Sequence, residues 1–398
     1  MGSGGRLVEE LAGHTTSVLC VQAHHDAARH LVASGGEDGA LCLFDLRLGR
    51  EPTSRCVGFP GNDVVSVAFH TKPHALFVAS DCSVAELDMR KTMDSLEQCT
   101  THRHMFNDDD INQVSVHPGG HLLASCDDSG EVAIIDIDKN TLHRRLSGLH
   151  TTICSSAAFL PGGRPPQLIT GGLDAMAACW GASEGAVRWA ARMGGEQEGG
   201  GGQVFNPPMV YSLAVSNFQD DGRPCMLAIG RGDGAVCVGD PCESGEGDGG
   251  GSCEEGDRDG QHGDENGDRL AYSAAADQGK NCDAGEQAGS DDGDADGSVT
   301  ADFQYMVLDR EAGGHTSSAS SVAFLPECDG RFAVSGGNDR RLIMWDWTEV
   351  FQEGGRPMVW TVDHGRKVNW VATGPEAGEA GRVFVADVGS RISVYRLE

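Results

Sequence analysis

The chain has 398 residues, with 30 Lys and Arg against 60 Asp and Glu and a formal net charge of −30. That balance disfavours a nucleic-acid backbone as partner, and no apolar run approaches the roughly 18 residues of a membrane span. MGSGGRLVEELAG at the start lacks the hydrophobic stretch of a signal peptide, and Arg6 stands where an N-myristoylation signal wants Ser or Thr. A cytoplasmic or nuclear location is therefore expected. The 14 cysteines are scattered, with no C-x-x-C pair, so they read as reduced core residues rather than a disulfide frame or a zinc site.

In chain order, RLVEEL (Arg6–Leu11) reads as a strand with no unit of its own. A unit then runs from Gly13-His14 to SGGEDGALCLFDL, Ser34–Leu46. NDVVSVAFH, LFVAS and VAELD form a second, and INQVSVH, LLASCDDSG and EVAIIDI a third, with Ser129 at the place of an expected Asp and no matching histidine. TGGLDAMAACWGA, Thr170–Ala182, belongs to a fourth, and MVYSLAVS, MLAIGRGDG and AVCVGD to a fifth. SGGNDRRLIMWDW, Ser335–Trp347, belongs to a sixth, and VNWVATG with RVFVADVGSRISVY to a seventh ending at Tyr395. Apolar runs and alternations of four to eight residues are what half-buried strands require.

Three units share one spacing. His14, Ser34, Asp38 and Phe44 are matched by His150, Thr170, Asp174 and Trp180, and by His315, Ser335, Asp339 and Trp345; in each set the histidine precedes the hydroxyl by 20 residues, the Asp by 24 and the aromatic by 30. Imidazole can link a hydroxyl to a carboxylate, and an indole N–H can donate to the same hydroxyl, so each set can satisfy itself inside a sheet. Phe44 has no N–H and must forgo the last bond. The role is structural; no catalytic triad is inferred.

This pattern resembles the WD40 repeat, which joins a Gly-His pair to a terminal Trp-Asp through one propeller blade. The resemblance implies an all-β, seven-bladed propeller, with RLVEEL completing the last blade and closing the ring. Residues 1–240 and 301–398 would form one discontinuous propeller. Residues 241–300 read as a disordered acidic insert between the third and outer strands of blade five: positions 242–298 hold 17 acidic side chains against Arg258, Arg269 and Lys280, a net of −14. GGEQEGGGGQ, Gly194–Gln203, reads as a flexible connection.

Several motifs fail on context. DDGDADGSVTADF (Asp291–Phe303) begins like a calcium loop but has Phe303 at its twelfth position. GASEG around Ser183 joins two strands, unlike a nucleophile elbow. Arg231-Gly232-Asp233 falls in a blade turn, and His102, His104, Asp108, Asp109 and Asp110 read as exposed loop polarity. No catalytic, metal or cofactor site is expected.

What remains is a protein-binding platform. FDLR (Phe44–Arg47) and LDMR (Leu87–Arg90) resemble the W-D-x-R box by which many WD40 proteins dock on damaged-DNA-binding protein 1, the adaptor of cullin-4 ubiquitin ligases. Strand alternation places Asp45 with Arg47, and Asp88 with Arg90, on one side. LDMRKTMDSL, HTTICSSAAFLP and HGRKVNW, in that order, narrow the resemblance to a branch of the family grouped with candidate substrate receptors of that ligase. The expectation is a non-enzymatic scaffold, monomeric outside its complex, that serves as such a receptor. The alternative is a ligase-independent scaffold of a chromatin or RNA-processing complex, whose acidic insert binds a basic protein. Salt separates the two, because binding through the insert weakens steeply with ionic strength.

Overall fold

A computed structural model describes residues 5–24, 26, 29–59, 63–162, 165–194, 206–216, 225–242, 303–326, 330–351, 355–374 and 381–397. The expected insert, apart from Pro241 and Cys242, lies outside these residues, as does most of the Gly/Glu-rich connection.

Strand β1 (Arg6–Ala12) precedes blade one, which contains β2 (Val18–Ala23), β3 (Leu31–Gly36), β4 (Ala40–Asp45) and β5 (Ser54–Val57). Blade two contains β6 (Ser66–Phe69), β7 (Ala75–Ser80), β8 (Ser83–Asp88), the short helix α1 (Leu96–Cys99) and β9 (Thr100–His104). Blade three has β10 (Ile111–Val116), β11 (Leu122–Asp127), β12 (Val132–Asp136) and β13 (Thr141–Leu146); blade four has β14 (Cys154–Phe159), β15 (Gln167–Gly172), β16 (Met176–Gly181) and β17 (Val187–Arg192). Blade five has β18 (Val210–Val215), β19 (Leu227–Arg231), β20 (Val236–Gly239) and β21 (Tyr305–Leu308); blade six has β22 (Ala319–Phe324), β23 (Phe332–Gly337), β24 (Arg341–Asp346) and β25 (Met358–Asp363). Blade seven has β26 (Val368–Gly374), β27 (Arg382–Asp387) and β28 (Arg391–Arg396), and β1 is its outer strand.

Every blade is a four-stranded antiparallel meander. The inner strands touch in a cycle, β2 to β6, β10, β14, β18, β22, β26 and back to β2, which makes this unit a seven-bladed β-propeller. First-to-second and third-to-outer connections share one face; second-to-third hairpins and blade-to-blade connections share the other. β1 closes the ring by pairing antiparallel with β28, from Arg6↔Arg396 to Ala12↔Arg391.

The junctions are stitched by side chains. In six blades the inner strand carries a bulge near its start, as at Val210/Ser212 and Ala319/Ser321, and a bulge re-aims the residues around it. Ser156 Oγ accepts the Leu213 amide of the next blade, Ser212 Oγ that of Val322, and Ser321 Oγ that of Val371. Gln22 and Gln113 do the same for Phe69 and Ala157, while Asn369 donates to the Val18 carbonyl across the seam. Amides that would be buried without partners are thereby satisfied.

The Gly-Gly pairs have a steric cause. A Cβ on Gly336 would lie 2.5 Å from Val368 Cγ1 of the next blade, and one on Gly337 would lie 2.4 Å from His315 Nδ1. One glycine lets blades pack, and the other makes room for the imidazole. Apolar clusters fill the blade interfaces, and the described cysteines are free and mostly buried in them.

Candidate interaction surface

The three repeated side-chain sets are assembled. His14 reaches Asp38 Oδ1 at 2.9 Å and Ser34 Oγ at 2.8 Å. His150 reaches Thr170 Oγ1 at 2.8 Å and Asp174 Oδ1 at 3.2 Å, and Trp180 Nε1 donates to Thr170 at 2.9 Å. His315 reaches Ser335 Oγ and Asp339 Oδ1, both at 2.8 Å, and Trp345 Nε1 donates to Ser335 at 2.8 Å. Phe44 fills the indole's place in blade one by packing alone. Burial pushes the Asp38 carboxyl up, but the His14 bond and the Thr15 amide outweigh it and hold it at about 2. With their polar atoms spent on one another inside the blades, these groups are not positioned to meet a substrate.

Three further blades solve the same packing problem with residues that spacing did not reveal. In blade three Asn107 exchanges bonds with Ser125 and Asp127, and Ser129 Oγ donates to Asp127 at 2.5 Å. In blade seven His364 bonds Asp387 at 2.7 Å and Tyr395 Oη at 2.8 Å. Asp127 and Asp387 end their second strands, where blades one, four and six place glycine, so the carboxylate enters from a different backbone position. In blade five Arg231 takes that glycine's place, and its buried guanidinium pairs with Asp233. The RGD tripeptide is thus a blade-turn ion pair.

His104 departs from the expected exposed polarity. It ends β9 and is buried against Phe77 and Phe106. Burial, then the nearby His102, lowers its pKa from 6.5 to about 4. The folded protein therefore resists a proton that the unfolded chain accepts, so the stability from neutral His104 is present above pH 6.5 and is lost as pH falls towards 4. His104→Leu is expected to remove roughly 2 kcal/mol of the acid sensitivity between pH 7 and 5. Urea unfolding at both pH values measures this, and equal pH slopes for variant and parent would refute it.

Asp108 pairs with Arg145 at 2.8 Å. Asp109, Asp110 and Asp128 bring carboxylates within 4.8 Å of one another, as do Asp81, Cys82 and Asp110 their ligand atoms. The bond to Asp81 is the largest cause of the raised Asp110 pKa. These exposed and half-buried groups sit on the face of the second-to-third hairpins.

The opposite face carries Asp45, Arg47, Asp88 and Arg90. Arg47 donates through Nε and Nη2 to the two Asp45 oxygens at 2.8 and 2.6 Å; Arg90 does so to Asp88 at 2.9 and 2.8 Å. The arrangement differs from strand alternation. β4 and β8 end at the aspartates, whose Oδ1 atoms also accept the backbone amides of Arg47 and Arg90 at 3.0 Å. A turn folds each arginine back onto its own carboxylate. The pairing is the largest cause of the lowered Asp45 and Asp88 pKa values.

Each guanidinium uses its Nε–Nη2 edge internally, and its Nη1 end makes no hydrogen bond among the described residues. The side chains of Arg47 and Arg90 remain 58% and 66% exposed, and Leu48, next to Arg47 in the chain, is 75% exposed. On the same end of the ring a cavity of ≈440 Å³ lies among the inner strands, lined in part by Phe69, Phe324 and Trp370.

The fold is a seven-bladed propeller with WD40 repeats, and the WD domain, G-beta repeat family model matches residues 5–45, 96–136 and 308–346. The first two matches begin just before the outer strand of one blade, the third begins at the last residue of β21, and each ends with the third strand of the next blade, which is how a repeat straddles two blades. The chain is similar to the WD repeat-containing protein 53 homolog of Dictyostelium discoideum, 30% identical over 243 residues. That match spans 58% of this chain and 63% of the relative's length.

Proposed function

We propose that this chain is a non-enzymatic interaction propeller that docks on the damaged-DNA-binding protein 1 adaptor of cullin-4 ubiquitin ligases and presents a client protein for ubiquitination. The observation that carries the reading is the repetition, on blades one and two, of an outward arginine braced bidentately by its own aspartate. Such a brace fixes the guanidinium before the partner arrives and lowers the entropy lost on docking. The neighbouring Leu48 adds apolar area that gains from being covered. The client would lie on the opposite face, where the second-to-third hairpins stand.

The test is co-purification of the adaptor from cells with the intact chain beside an Arg47→Ala, Arg90→Ala variant shown to be folded by circular dichroism. The variant is expected to recover at least ~10-fold less adaptor. Equal recovery, or none with either protein, would remove the receptor reading.

A further inference from the structure

Blade three carries a third device of the same kind, hidden from the D-x-R pattern by one extra residue. Lys139 Nζ donates to Asp136 Oδ2 at 2.6 Å, and the Lys139 amide donates to Asp136 Oδ1 at 3.0 Å. Asp136 ends β12 as Asp45 ends β4 and Asp88 ends β8. The carboxylate sits low while the ammonium stands 74% exposed, with N–H donors left over.

The three hairpins are hung alike. Leu46, Met89 and Ile137 donate their amides to the carbonyls of His30, His74 and His121 in the adjoining first-to-second connections, at 2.8 to 2.9 Å. These connections are also tied sideways. Arg29 of blade one donates to the Pro73 carbonyl of blade two at 2.9 Å, and Lys72 of blade two reaches Asp138 of blade three at 3.0 Å. Asp138 also meets His121 at 3.3 Å. Arg47, Arg90 and Lys139, each braced by the aspartate that ends its third strand, stand on the third-to-outer hairpins of successive blades, where Lys91 is also exposed.

We propose that Lys139 extends the two arginine boxes into a three-blade cationic ledge that engages a carboxylate-bearing face of the docking partner. The inference rests on the reading of this face as the ligase-adaptor surface. Separate protein carboxylates fit better than a single phosphate group because the three donors stand apart, one on each of three successive blades. Carboxylates can meet the free guanidinium ends and the ammonium without displacing the internal aspartates.

The test uses the full chain, purified damaged-DNA-binding protein 1 and a hexaglutamate peptide, with binding measured at two salt concentrations. Lys139→Glu is expected to weaken both interactions by about tenfold at low salt and to flatten the salt dependence. Arg188→Glu is the charge-matched control near the start of β17 in blade four, where Arg188 pairs with Glu184, and should leave both unchanged. If Lys139→Glu matches the parent while the Arg47→Ala, Arg90→Ala variant loses the adaptor, the ledge is overturned and the receptor reading stands. If the adaptor does not bind but hexaglutamate binds in a Lys139-dependent way, the receptor reading fails and the ledge survives. Failure of the parent to bind either probe overturns the ledge as well.

Discussion

Deleting residues 1–12 is expected to convert a monodisperse propeller into an aggregating species with a sharply lowered thermal midpoint. β1 pairs along its length with β28, and Leu11 is fully buried in the core shared by blades seven and one. Loss of Leu11 burial alone costs roughly 2–3 kcal/mol. The larger effect is that β28 acquires a bare edge that can template pairing between molecules. Size-exclusion chromatography and thermal unfolding of the truncated chain measure both effects. A peptide of residues 5–13 added in trans should restore the midpoint, since it supplies the missing strand. A truncated protein as stable and monodisperse as the parent would show that the seam does not hold the ring.

The second large effect is expected at Asp387, a carboxylate buried without exposure at the end of β27. It meets His364 Nε2 at 2.7 Å, accepts the Gly389 amide and has Arg366 at 3.6 Å. Burial pushes its pKa up, yet the His364 bond and the Gly389 amide outweigh that and lower it overall. Asp387→Ala should cost about 3–5 kcal/mol, because it strands a buried imidazole and a backbone donor together. Asp363→Ala, at an exposed turn carboxylate bonded to the Gly365 amide, should change stability by less than about 1 kcal/mol. Urea denaturation of the two variants measures the contrast, and similar losses would mean that the blade-seven network contributes little.

These networks show how far a repeat can be read. The spacing of His14, His150 and His315 from their partners was legible because one geometry recurs and glycine must stand beside each imidazole. Asn107 and His364 stand four residues before their inner strands, as His14, His150 and His315 do, but escaped it because their carboxylates, Asp127 and Asp387, end the second strand instead of standing in the turn after it, and Arg231 occupies that strand end itself. Asp387 in a glycine's place was the visible sign for blade seven, but it acquires meaning only once His364 and Tyr395 are known to converge on it. The arginine boxes were legible as residue pairs. Their cause was not, because a turn that folds Arg47 onto Asp45 leaves the same D-x-R string as an uninterrupted strand would. Lys139 fell outside the pattern because the lysine stem spans one more residue to reach Asp136.

Strand alternation, turn glycines and the repeated histidine spacing were enough to specify a WD40 ring with seven blades, since these are local constraints that each blade restates. Ring closure, the partners inside the divergent blades, and the alignment of Arg47, Arg90 and Lys139 on one linked ledge came from assembly. Those features join residues far apart in the chain, as when Arg6–Ala12 meets Arg391–Arg396, or neighbouring blades through Lys72 and Asp138. No periodicity records such contacts, because they are chosen by which side chains can fill a shared volume and satisfy its buried polar atoms.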